Sequence, residues 1–168
     1  LTGALYLTVL ERNGDVVHMT SYAPLLAKEK HTQWSPDLIY FNNREVKPTT
    51  GYYVQKLYGQ NAGSHYIPSQ IILDNQDNRV KLRIGSSIVR DSKTGDVIVK
   101  LVNLLPVSVE TEIQLPGIGS VQPSAVRTVL AGAPESTPLP VTDTIEVGTN
   151  FKQQLPAYSF TVIRLKTK

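Results

Sequence analysis

Apolar residues in the first part of the chain recur at helical spacing. Leu1, Leu5 and Val9 follow one another at intervals of four, which predicts a helix over residues 1–13 with these side chains on one face. The Asn-Gly pair at 13–14 is typical of a helix end, since both residues tolerate a left-handed backbone. The pattern therefore begins with an amphipathic helix.

A strand, a long loop and a second helix are predicted next. The run Val-Val-His-Met at 16–19 is typical of a short buried strand, and Pro24 closes that segment. A second helix is predicted over 49–58, because Thr49 or Thr50 can cap its start and Gly59 follows it. This order resembles the end of an α/β unit, and about sixty residues are too few to enclose a core of their own.

From residue 62 onward the pattern changes to short β-rich runs separated by Gly, Pro, Asn and Asp. The runs are "QIILD", "VKLRIGSSIVR", "VIVKLVNLL", "VSVETEIQL", "AVRTVL", "TIEV" and "YSFTVIRLK". Short linkers leave no room for crossover helices, so we predict a mainly β fold with an antiparallel, jelly-roll-like sandwich over 62–168. Residues 1–61 are predicted to form a separate terminal α/β segment.

Two of these runs predict their place in the sandwich. "VIVKLVNLL" is apolar on both faces apart from Lys100 and Asn103, so it is expected to be a central strand. In "VSVETEIQL", residues 107, 109, 111, 113 and 115 share one face and are mostly apolar, whereas 108, 110, 112 and 114 are polar. That alternation predicts one face in the core and one in water.

Composition excludes several classes of function. The chain has 168 residues, no cysteine and a net charge of +3. Disulfides, thiolate metal sites and a cysteine nucleophile are therefore excluded. Lys and Arg are scattered, which does not favour nucleic acid as a partner. No apolar run reaches the ~20 residues that a membrane-spanning helix needs.

The candidate catalytic and metal-binding groups have simpler explanations. Glu110 and Glu112 would lie about 6.6 Å apart on one strand face, a spacing compatible with glycoside hydrolysis, but that face is predicted to be solvated. His18, His31 and His65 lack the spacing of metal ligands. We therefore expect no catalytic residue, no metal and no cofactor in this chain.

The segment "QWSPDLIYFNN" at 33–43 is the best candidate for ligand binding. It contains the only tryptophan, Trp34, together with Asp37, Asn42 and Asn43. An aromatic ring can stack on a sugar while carboxylates and amides bind its hydroxyl groups. The alternative is that Trp34 fills a hydrophobic gap, and composition does not decide between the two.

Three long motifs resemble a known family. "LERNGDVVHMTSYAPLLA", "WSPDLIYFNN" and "GYYVQKLYGQN" occur in this order within residues 3–61. They resemble the C-terminal part of α-L-arabinofuranosidases of glycoside hydrolase family 51. The ending "LPAYSFTVIRLK" agrees with the same family in kind.

The resemblance implies a (β/α)8 catalytic barrel followed by a β-sandwich. Residues 1–61 would then be a helix–strand–loop–helix remnant of the barrel, with its eighth strand over residues 16–23 and its following loop over 25–47. Such enzymes are retaining, and they remove terminal arabinofuranosyl groups from arabinan and arabinoxylan. Both catalytic glutamates of the family lie upstream of the matched segment, so this chain is expected to lack them and to be inactive alone.

The resemblance also bears on partners and location. The expected partner is an arabinose-containing polysaccharide or oligosaccharide, and Trp34, Asp37 and Asn42 are its expected contacts on the barrel loop. Other family members have Trp-x-Gln near this point, so Asp37 departs from their pattern. For the parent enzyme, a bacterial periplasmic or extracellular location is expected rather than the cytoplasm. The apolar face of the first helix is expected to fold back on the sandwich or to form a homo-oligomer.

A rival hypothesis is a stand-alone carbohydrate-binding or structural β-sandwich. A binding module should present several exposed aromatic residues on one face of the sandwich. The β region has only Tyr66, Phe151, Tyr158 and Phe160.

Overall fold

The structure is a computed structural model that describes residues 1–167. Within these residues the helices are α1 (Thr2–Arg12), α2 (Thr50–Gln60) and α3 (Asn78–Lys81). The strands are β1 (Leu26–Lys28), β2 (Ile39–Phe41), β3 (Val46–Pro48), β4 (His65–Tyr66), β5 (Ile84–Arg90), β6 (Val97–Asn103), β7 (Val109–Gln114), β8 (Val121–Ala131), β9 (Val141–Glu146), β10 (Asn150–Leu155) and β11 (Ser159–Thr167).

The β-rich region forms two antiparallel sheets, as its pattern predicts. Six strands are ordered β4-β5-β6-β11-β8-β9, and β7 pairs with β10 in a second sheet. One core lies between the two sheets, where Val99 and Ile163 meet Ile113 and Leu155. The sandwich prediction is confirmed.

A second core lies on the other face of the six-stranded sheet. Here Ala4 and Leu7 of α1 and Leu57 of α2 pack with Ile98 and Phe160. The molecule therefore has three layers, namely helices, the large sheet and the small sheet. Because the central strand β6 is covered on both faces, all of its residues are buried, which explains its apolar run.

The alternation predicted for β7 is observed. Ile113 and Leu115 are buried, whereas Glu110, Glu112 and Gln114 are exposed. The prediction is wrong for Val107, which precedes the strand and is 58% exposed. The pleat fixes side-chain direction only within a paired strand, and Val107 lies outside one.

Both long helices form close to their predicted positions, and α1 folds back on the sandwich. Leu1 and Leu5 pack against the helix-side core, although Val9, predicted to share that face, is exposed. The helix approaches the sheet closely at Gly85, where an added Cβ would lie 2.3 Å from Leu5 Cδ1. A glycine at this point in β5 lets the helix reach the sheet.

The strand predicted over 16–23 does not form. Residues 13–16 make a turn, the following residues are irregular, and Met19 is 88% exposed. A parallel strand needs a neighbour to pair with, and the described part of the chain supplies none there. The loop predicted over 25–47 instead contains a small sheet, in which β2 pairs in parallel with β1 and antiparallel with β3.

Two further differences are local to the β region. "QIILD" is irregular and exposes Ile72, because no strand of the described sheets pairs with it. The β10 sequence "NFKQQL" was not predicted as a strand, since its outward positions are polar and only Phe151, Gln153 and Leu155 face inward.

Candidate functional site

The tryptophan loop, residues 29–38, joins two parallel strands. It must cross from the end of β1 back to the start of β2, which projects it beyond the small sheet. Trp34 lies on this crossing and is 69% exposed. The interpretation that Trp34 fills a hydrophobic gap therefore does not describe this structure.

Asp37 closes the base of the tryptophan loop. Its side chain is buried, and its Oδ2 accepts a hydrogen bond of 3.1 Å from the Thr32 hydroxyl. The same hydroxyl oxygen accepts from the Trp34 backbone N–H at 3.1 Å. The Asp37 backbone N–H donates to the Tyr40 hydroxyl at 2.9 Å. Asp37 thus fixes the backbone that carries Trp34.

Asn42 lies at the other end of β2 and organises the turn into β3. Its Oδ1 accepts from the backbone N–H groups of Arg44 and Glu45, at 2.8 and 3.0 Å. Its Nδ2 donates to Glu29 at 2.8 Å and to Glu45 at 3.3 Å. Five residues of roughly extended chain, about 16 Å, separate it from Asp37. The structure brings Trp34 and Asp37 together and places Asn42 apart.

An ion-pair network beside Asn42 was not predicted from the sequence. Lys47 Nζ lies 2.8 Å from Glu29 Oε1 and 2.9 Å from Glu45 Oε1. Hydrogen bonds from Lys47, then from Asn42, lower the pKa values of both carboxyl groups, and Glu29 raises that of Lys47. The Glu45-x-Lys47 spacing was its only local sign, because Glu29 lies just after β1 and is far from both residues in the sequence.

The carboxylate pair on β7 is solvated, as expected. Glu110 Oε1 lies 3.0 Å from Lys152 Nζ across the small sheet, and both side chains are about two-thirds exposed. A hydrogen bond from Gln114 lowers the pKa of Glu112. A general acid in glycoside hydrolysis needs the opposite shift.

The described residues contain no group of three or more His, Asp or Glu side chains placed to hold a metal ion. Over residues 1–167, no helix has both the length and the apolar character required to cross a bilayer.

A buried polar cluster joins α1 to the large sheet. Lys100 on β6 is fully buried and forms an ion pair with Glu11 on α1. Ser87 Oγ donates to Glu11 Oε2 at 2.5 Å, and Lys100 Nζ lies 5.2 Å from the centre of the Tyr58 ring. Tyr58 OH donates to the Ala4 carbonyl at 2.9 Å. Burial lowers the pKa of Lys100 and raises that of Tyr58.

Comparison with known proteins places these features in a family. The family described as the α-L-arabinofuranosidase C-terminal domain matches residues 1–159. This chain belongs to that family. The resemblance of its N-terminal motifs is therefore confirmed, and it extends through most of the sandwich.

Similar curated proteins are much longer than this chain. An extracellular exo-α-L-arabinofuranosidase of Streptomyces chartreusis is 51% identical over 70 residues, which are 42% of this chain and 8% of that protein. A probable α-L-arabinofuranosidase A of Aspergillus terreus is 36% identical over 119 residues, 70% of this chain and 18% of that protein. The chain thus spans less than a fifth of either relative.

Solved structures agree with the fold. An arabinose-bound α-L-arabinofuranosidase of glycoside hydrolase family 51 matches 98% of this chain and 27% of its own, with 34% identity and a TM-score of 0.86. A thermostable enzyme of the same family from Thermotoga petrophila has a TM-score of 0.77 over 96% of this chain and 37% of its own, at 16% identity, which shows the fold alone.

Proposed function

We propose that this chain is the C-terminal part of a retaining α-L-arabinofuranosidase that acts outside the cytoplasm and removes terminal arabinofuranosyl groups from arabinan and arabinoxylan. The supporting observation is the match to an arabinose-bound relative, at 34% identity and a TM-score of 0.86 over 98% of the chain. The extracellular relative from Streptomyces chartreusis supports the location.

The proposed catalytic carboxyl groups lie outside this chain. A retaining mechanism needs two carboxyl groups about 5–5.5 Å apart, one of them with a raised pKa. Glu110 and Glu112 do not meet this need, since Glu110 is paired with Lys152 in solvent and the pKa of Glu112 is lowered. The chain would therefore contribute support and substrate contacts.

Within the proposed enzyme, Trp34 is the direct substrate contact. Its exposed indole offers an apolar face to a sugar ring, and the Thr32–Asp37 hydrogen bond holds its loop in place. Asp37 and Asn42 then act on substrate binding through the backbone, because their polar atoms are engaged within the loop and the turn.

The stand-alone binding module has less support. Phe160 is buried against the helices, Tyr66 is partly buried there, and Phe151 is partly buried between the sheets. These rings are occupied with packing, whereas sugar binding on a sandwich face requires exposed ones.

The test compares the full-length product of the gene with the 168-residue chain on an aryl α-L-arabinofuranoside. We expect turnover by the full-length protein and none by the chain alone. In the full-length protein, Trp34→Ala should raise KM for arabino-oligosaccharides at least about tenfold, whereas Trp34→Phe should retain most binding. Turnover by the chain alone would show that its own carboxyl groups suffice, contrary to the proposal.

A further inference from the structure

Three cationic side chains share one end of the small sheet. Lys28 is the last residue of β1, and its register partner Phe41 ends β2. Phe41 in turn pairs with Val46 at the start of β3, so these three residues form the edge row. Lys30 follows this row by two residues, and Arg44 lies in the turn between β2 and β3. Lys28, Lys30 and Arg44, which we call the cationic rim, are all exposed.

The acidic residues at this end are already engaged. Glu29 and Glu45 both bind Lys47 and both accept from Asn42. Asp37 lies at the opposite end of β2, about 16 Å away, where it is buried and binds Thr32, so a glycan that contacts both the cationic rim and Trp34 must extend along the tryptophan loop. Within residues 1–167, no carboxylate lies within ion-pair distance of the cationic rim. The rim therefore presents positive charge to solvent.

Lys30 has an uncommon backbone conformation. Its φ is 64°, in the left-handed region that glycine and asparagine adopt with less strain. Such strain is concentrated at sites that bind ligands. Lys30 precedes the exposed Trp34 by four residues on the tryptophan loop.

We propose that the cationic rim binds the carboxylate groups of an acidic, uronate-bearing glycan whose neutral sugars contact Trp34. An indole face suits a sugar ring, and Lys and Arg suit the carboxylate of a uronic acid side group. A nucleic acid is disfavoured, because three cations and one indole are too few for a strand-tracking groove with repeated stacking. The inference rests on the proposed function, whose glycan it specifies as acidic.

The experiment measures binding of the 168-residue chain by affinity gel electrophoresis. The polymers are glucuronoarabinoxylan and the same preparation after chemical reduction of its carboxyl groups, which leaves the neutral sugars intact. At low salt, binding to the acidic polymer should be about tenfold tighter, which corresponds to three exposed charge contacts of ordinary strength. The difference should shrink in 1 M salt.

Two variants of equal charge test the location. Lys28→Gln/Lys30→Gln/Arg44→Gln should lose the preference for the acidic polymer while binding the reduced polymer as before. Lys56→Gln/Lys81→Gln/Lys93→Gln removes three exposed cations elsewhere and should keep the preference. Circular dichroism checks that both variants fold.

Three results would overturn the inference. They are equal binding of the acidic and reduced polymers, equal behaviour of the two triple variants, and binding of a single-stranded DNA oligonucleotide as tightly as the acidic glycan. If the reduced polymer binds in a Trp34-dependent manner but the acidic groups add nothing, only this inference fails. Failure of the proposed function is seen separately, in the turnover assay of the full-length protein.

Discussion

Replacement of Glu11 by glutamine should weaken the attachment of α1 to the large sheet. Glu11 and Lys100 are 89 residues apart in sequence and form an ion pair in which Lys100 is 0% and Glu11 20% exposed. Glutamine has nearly the shape of glutamate and can still accept from Ser87. The change therefore removes the charge that compensates Lys100 and little else.

The expected loss is about 3 kcal/mol in the free energy of unfolding. Removal of one partner of a buried ion pair costs about 3–5 kcal/mol, and partial exposure of Glu11 puts this pair at the lower end. A small domain has about 5–15 kcal/mol in total, so the loss would be large. By contrast, Glu11→Leu/Lys100→Met removes both charges and should lie within about 1 kcal/mol of the parent, or above it.

The loss should depend on pH. Burial already lowers the pKa of Lys100 below 10.5, and Glu11 acts against that shift. Without Glu11, the pKa of Lys100 in the folded state falls further, while the pKa of Lys100 in the unfolded chain stays the same. The unfolded chain then binds more protons between the two values, so stability rises with pH there. The deficit of Glu11→Gln should thus narrow from pH 7 toward pH 10.

Urea unfolding measures these free energies of unfolding at each pH. Far-ultraviolet circular dichroism is the signal, because the exposed Trp34 is a poor fluorescence reporter of the core. The m-value should be unchanged. Glu110→Gln is the matched control, because it breaks an exposed pair with Lys152 and should leave the urea midpoint almost unchanged. A Glu11→Gln loss below about 1 kcal/mol, or a double variant less stable than the single, would refute this account of the cluster.

Three other substitutions have clear expected outcomes. Gly85→Ala would place a Cβ 2.3 Å from Leu5 Cδ1 and should cost about 1–3 kcal/mol in urea unfolding. In contrast, Gly59→Ala in α2 meets nothing within 4 Å and should stabilise by up to about 1 kcal/mol; destabilisation at Gly59 would contradict the geometry. Asp37→Ala removes the acceptor at the base of the tryptophan loop and should lower the fluorescence anisotropy of Trp34 with little change in global stability. Unchanged anisotropy would show that Asp37 does not hold the loop.

Local patterning predicted much of the fold. The burial of β6 and the alternation of β7 depend on nearest neighbours along the strand, and both are visible in a few residues. Helix α1 carries its own apolar spacing, and Thr49 marks the start of α2. These elements could be read from the sequence because the information that defines them is contiguous.

Other features depend on residues far apart in the chain. The strand predicted over 16–23 requires a partner that the described chain does not supply there, and no local signal reveals that. Glu11 and Lys100 are 89 residues apart in the sequence, so the sequence showed only an isolated lysine in an apolar run. The exposure of Trp34 follows from a parallel crossing, which the sequence pattern did not predict. The candidate site was thus predicted by residue type, while its geometry was not.

The core beneath the helices has a practical meaning for engineering. Ala4, Leu7, Val54 and Leu57 share it with Ile98, so any cut near residue 61 would divide one hydrophobic interior between two polypeptides. A sandwich transplanted into another enzyme without residues 1–61 would expose the apolar side chains on the helix-side face of its large sheet to solvent. Gene shuffling that keeps solubility should therefore place its crossover ahead of α1.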